Sequence, residues 1–218
     1  MSLEFEIPLV SLIFILILNI VYFSKKRADL EENKPYKVIL ISSLIVATID
    51  TVIHIICSAN TFESIVNNYY TLLNYLNKIL SALFSVIFSS LFFYTLLITY
   101  DKVRKNPKKI STILIIANIV FSVIMLFTNI ELVDAKVATN VTGATTMLGY
   151  AMVAIMLTCS LLVALTNIKK LDKRYLPIFI VFLLLVILYF FSLLIPGMII
   201  YDLILALMCY IMYFTIEN

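Results

Sequence analysis

The sequence predicts an all-α integral membrane protein: a seven-transmembrane-helix bundle with its N-terminus outside and its C-terminus in the cytoplasm. Three observations lead there. First, 63% of the 218 residues are hydrophobic and only 13% are charged, with a mean hydropathy of +1.09; a soluble domain carries about 25% charged residues. Second, the apolar residues gather into seven stretches near the roughly 20 residues that cross a bilayer as a helix. Third, fourteen of the sixteen Lys and Arg residues sit in three short loops. These are Lys25, Lys26, Arg27, Lys34 and Lys37; then Lys102, Arg104, Lys105, Lys108 and Lys109; then Lys169, Lys170, Lys173 and Arg174. Only Lys78 and Lys136 fall elsewhere. Short Lys/Arg-rich loops stay on the cytoplasmic side, so they orient the chain.

The first helix is expected at about Ile7–Phe23, with Pro8 in its first turn, where a missing N–H costs nothing. Its N-terminal flank carries Glu4 and Glu6, the positive charges follow it, and no small-x-small cleavage site is visible. It therefore reads as a retained helix rather than a signal peptide. The second is expected at about Val38–Cys57 and the third at about Leu72–Ile98, long enough to tilt or protrude. The fourth lies at about Ile110–Thr128, the fifth at about Thr146–Thr166 and the sixth at about Leu176–Leu194. Ile195-Pro196-Gly197-Met198 makes a tight turn, and the seventh runs from about Ile199 to Thr215. Residues 1–218 form one transmembrane domain with no soluble domain, no low-complexity tract and no clear repeat.

Alternation then places the three basic loops inside. The outer loops should be poor in Lys and Arg: Ser58–Thr71 and Pro196–Met198 have none, and Asn129–Thr145 has only Lys136, beside Glu131 and Asp134. A six-helix layout, with 176–216 as a re-entrant pair, would set the termini against these charges. Tyr22, Tyr100, Tyr175 and Tyr213 fall near helix ends and read as an aromatic belt. Asn140-Val141-Thr142 matches a glycosylation sequon, a motif short enough to arise by chance.

Composition also excludes function classes. The net charge of +3 is accounted for by topology and anionic headgroups, not by nucleic acid. Cys57, Cys159 and Cys209 are widely spaced, with no CxxC or disulfide framework. With one histidine there is no HExxH, and with three glycines there is no Walker A loop or GxGxxG. No carboxylate pair lies at an inner membrane face. No metal or cofactor is expected, and no catalytic motif is present. Scarce glycine also argues against the discontinuous helices of many transporters.

Small and polar residues mark helix contacts in membranes. On the second helix Ser43, Ala47, Asp50, His54 and Cys57 share a face; on the third, Asn74, Lys78, Ser81, Ser85 and Ser89; on the fourth, Ser111, Asn118, Ser122 and Asn129; on the seventh, Asp202, Ala206 and Cys209. With the topology above, Asp50, His54, Lys78 and Asp202 fall at one outer depth. A charge at the bilayer centre costs about 2.5–3.5 kcal/mol even on lenient scales. Three readings stand side by side: an outward-opening polar pocket that senses a ligand or protons through this cluster; a buried clamp that only fixes packing; and snorkelling of Lys78 and Asp202 to the outer headgroups.

The three basic loops and the closing segment Tyr201–Asn218, YDLILALMCYIMYFTIEN, carry a resemblance. In layout the chain resembles the N-terminal seven-helix region of bacterial sensor histidine kinases and related diguanylate cyclases. The resemblance implies a sensory bundle in the cell membrane whose last helix leads into a cytoplasmic output. It implies a kinase or cyclase module C-terminal to Asn218, and a homodimer. The phospho-accepting histidine and ATP-binding boxes of that family are absent here, and His54 cannot replace that histidine in the outer half of the bilayer. The expected function is a signalling input domain of a two-component type, passing an outer or intramembrane signal through the last helix. The alternative is a small multi-pass transporter or a substrate-binding membrane subunit that uses the same cluster.

Overall fold

The computed structural model describes residues 3–25, 30–135, 138–167, 173–194 and 201–217. Its helices are α1 Leu3–Ser24, α2 Asn33–Ala59, α3 Tyr70–Thr99, α4 Pro107–Leu126, α5 Ala144–Thr166, α6 Leu176–Leu194 and α7 Tyr201–Glu217. Five helical stretches are long and apolar enough to cross a membrane: Ile7–Ser24, Asn33–Ala59, Phe62–Thr99, Pro107–Leu126 and Ala144–Thr166. Leu176–Ile187 and Tyr201–Ile216 are shorter apolar helices.

Several elements differ from expectation for local reasons. The helix α1 begins at Leu3, so Pro8 lies inside it and forfeits one backbone bond rather than sitting in the first turn. The start of α2 reaches back into the first basic loop, with Pro35 at its third position, where an N–H has no partner in any helix. Most of Ser58–Thr71, expected as a loop, is helical: a turn at Phe62–Ser64 and a π-helical stretch at Ile65–Tyr69 lead straight into α3. Thr61 caps that turn by accepting from the Ser64 N–H. Pro107 opens α4 at a position that suits it. The turn expected at Ile195–Met198 lies outside the described residues.

The loop Asn129–Thr145, expected on the outer side, is not irregular. Strands β1 Glu131–Ala135 and β2 Ala138–Thr142 pair antiparallel, Glu131 opposite Thr142 and Ala135 opposite Ala138. Among the described residues this hairpin holds the only strands, and the regular structure is otherwise helical. Gly143 follows at φ 109°, a left-handed backbone that only glycine adopts cheaply, and a Cβ there would stand 2.7 Å from the Asn129 carbonyl oxygen.

The third helix is the hub: α2, α4 and α5 all pack on it. On the other side α1 packs on α2 and α7, α7 packs on α6, and α6 packs on α5. The fourth helix stands outside this ring and buries only Met125. The tyrosines expected to ring the membrane interface divide. Tyr100 is exposed, but Tyr22, Tyr175 and Tyr213 are buried in the core at the end that carries the basic loops. Tyr175 donates to Thr99 Oγ1 at 3.0 Å and Tyr36 to the Cys209 carbonyl at 2.9 Å. Inside a bundle a phenol keeps its hydroxyl satisfied by a neighbouring helix and so ties helices together rather than anchoring them in headgroups.

Candidate functional site

The site forms where two small-residue stripes meet. On α2, residues 43, 47, 50 and 54 repeat at intervals of four, three and four, which keeps them on one face. On α7, residues 209, 206 and 202 do the same in the opposite chain direction. The Cys209 thiol lies 3.4 Å from Ser43 Oγ. Ala47 and Ala206 are buried in one cluster with Ile15 of α1. One step further, the carboxyls of Asp50 and Asp202 come within hydrogen-bonding reach of each other. Small side chains at the first two steps let the backbones approach, and that approach forces the two acids together at the third.

His54, one turn beyond Asp50, places Nε2 3.3 Å from Asp50 Oδ2, with an alignment short of a hydrogen bond. The Asp50 and His54 side chains are 18% and 12% exposed, and Asp202 is 3% exposed. Oδ2 of Asp50 and Oδ2 of Asp202 are both buried without a hydrogen-bond donor. A buried acceptor left unpaired costs about 1–3 kcal/mol, so this node carries a polar penalty that a donor would relieve.

Lys78, grouped with these residues by depth, points elsewhere. Its Nζ donates to the Leu126 carbonyl oxygen at 3.1 Å, capping the C-terminus of α4. A helix C-terminus carries partial negative charge and suits an ammonium group. Among the described residues no ion pair joins Lys78 to Asp50 or Asp202.

The remaining stripe of α3 meets α4 and α5. Ser85 Oγ donates to Asn118 Oδ1 at 2.6 Å, and Asn118 Nδ2 donates to Ser89 Oγ at 2.7 Å and to the Leu114 carbonyl at 2.9 Å. Ser81 faces Gly149 of α5, where an added Cβ would stand 3.3 Å from its Oγ. A groove of about 590 Å³ runs along α3 and α4, reaching Lys34 near the basic loops and Lys78 at the opposite end. Among the described residues, no group of three or more His, Cys, Asp and Glu is arranged to hold a metal ion.

No protein-family model matches this chain, and no curated protein matches it.

A further ionic contact joins the basic loops. Glu32 accepts from Arg174 Nη1 at 3.2 and 3.3 Å, and Arg104 Nη1 lies 3.8 Å from it. A single carboxylate thus ties together all three basic loops. The signal was the pair Glu31-Glu32 inside an otherwise basic loop, which a topology argument treats as background.

Proposed function

We propose that this chain is a membrane-embedded sensory input domain of a signal-transduction protein. In this reading seven helices span the cell membrane with the N-terminus outside. The Asp50–His54–Asp202 node is its switch, and α7 carries the signal to a cytoplasmic kinase or cyclase module. The supporting observation is the direct contact of the node with α7, the helix that would lead to an output. Whatever changes the charge or partners at Asp202 acts at once on how α7 sits against α2. A two-state bundle responds to a signal only through a difference in contacts between its states, and an unpaired buried acceptor provides such a difference.

Joining residues 1–218 to the dimerisation and catalytic core of a histidine kinase tests this. In nanodiscs above neutral pH, where the parent pair is ionised, Asp202→Asn should shift autophosphorylation by about 5–150-fold, the range of common couplings between sites. Identical rates for the unmodified, Asp202→Asn and Asp50→Asn fusions would overturn the signalling reading. The α3–α4 groove favours the competing transport reading, for which solute uptake into proteoliposomes is the corresponding measurement.

A further inference from the structure

The register of α2 against α7 brings two acids into contact without a cation between them. An ionised carboxylate only accepts hydrogen bonds; it donates only when protonated. Two carboxylates in contact also repel, and the cost grows as water is excluded. The groups facing the pair do not remove the problem. On helix α1, Ile15 and Leu12 pack with Ala47 and Ala206, and Ser11, one turn from Ile15, is a buried neutral hydroxyl with no hydrogen-bond partner. On α3, the ammonium of Lys78 is engaged by the Leu126 carbonyl, and Asn74 is neutral. On α2, His54 reaches Asp50 but not in hydrogen-bond alignment. Beside Asp202, Tyr201 stacks at an angle on Tyr150 of α5, ring centroids 6.3 Å apart. Residues 176–200, on α6 and the segment after it, contain no acid or base, with Tyr189 the sole titratable group. The hairpin, whose second strand packs on α2, contributes Glu131, Asp134 and Lys136 by sequence.

We propose that Asp50 and Asp202 bind one proton between them and that this proton clasps α7 to α2. One carboxyl becomes –COOH and donates its O–H to the other carboxylate, so the contact turns from repulsion into a charge-assisted hydrogen bond. No bond other than O–H forms or breaks, and the proton comes from water. His54, with Nε2 3.3 Å from Asp50 Oδ2, biases which carboxyl holds the proton. The ligand of the proposed switch is thus the hydronium ion. The inference rests on that reading for its use, but its test addresses the carboxyl pair itself, so the pair can fail while the signalling reading stands.

The test is infrared spectroscopy of the full chain in zwitterionic nanodiscs, across pH, in sodium buffer and in sodium-free choline buffer. At neutral pH the protein should show a protonated-carboxyl C=O band that shifts in deuterated water and with isotope-labelled aspartate. The band should vanish as pH rises. Asp50→Asn and Asp202→Asn should each abolish it while leaving the helix content unchanged, because the amide supplies the missing donor. The isotope shift assigns the band to aspartate with no substitution, should either variant fail to fold. No labelled-aspartate band at neutral pH overturns the proposal, as does a band that persists in both variants. A band seen only without sodium overturns it as well, naming a metal cation as the occupant.

Discussion

Two polar seams cross this bundle, and they differ in one respect. Along α3–α4, Ser85, Asn118 and Ser89 match donors to acceptors with neutral groups, and the one cation, Lys78, is engaged by the Leu126 carbonyl. Along α2–α7, the same kind of small-residue stripe ends in Asp50 and Asp202, each with a buried oxygen lacking a donor. Both seams keep helices close. Only the second has something left to bind. A satisfied network resists change, because any rearrangement costs hydrogen bonds; an unsatisfied one can be stabilised by a ligand, and so can report on that ligand.

The largest expected effect is steric and falls on the α2–α7 seam. Ala206→Leu drives three additional carbon atoms into a site that holds Ala47 and Ile15. Overpacking of this kind costs about 1–3 kcal/mol, visible as a lower thermal midpoint in detergent. If stability is unchanged, the two stripes do not mate as described. Next comes the neutral seam. Asn118→Leu removes the partner of both Ser85 and Ser89, and interhelical hydrogen bonds in membranes average about 0.6 kcal/mol each. The expected loss is about 1 kcal/mol, with greater solvent access to a reporter cysteine on α4 and no change in pH response. A variant that alters the pH response would erase the distinction between the seams. The smallest effect belongs to Lys78→Met, which removes a cation from the α4 C-terminus. About 0.3–1 kcal/mol is expected, read by the same α4 reporter. A loss as large as that of Ala206→Leu would place Lys78 in the acidic node after all.

The helices were legible because bilayer length and hydropathy leave few other choices. The polar stripes of α2, α3 and α7 were legible too, since periodicity along one helix is a local property; on α4 the stripe holds for Ser111, Asn118 and Ser122, while Asn129 lies beyond the helix end at Leu126. What periodicity does not contain is which stripe meets which. Lys78 shows the gap: depth put it beside the acids, yet its own face, with Ser81, Ser85 and Ser89, turns toward α4 and α5. Two residues at the same depth can stand on opposite sides of a helix. The pairing of Asp50 with Asp202 needed the antiparallel contact of α2 and α7, which no single helix encodes. The β hairpin escaped because ten paired residues within a polar loop give a weak alternation. The inward tyrosines escaped because a Tyr near a helix end reads alike whether it faces lipid or a neighbouring helix.

The central claim is that protonation of the Asp50–Asp202 pair holds α7 against α2. Spin labels at Lys37→Cys on α2 and Phe214→Cys on α7, both exposed positions, read the separation of these helices near the basic loops. The three native cysteines would be replaced by alanine. The account predicts one short distance at neutral pH, a second and longer population as pH rises, and a single pH-independent short distance in Asp202→Asn. A distance distribution in the parent protein that stays the same across that pH range, while the carboxyl pair loses its proton, would contradict it.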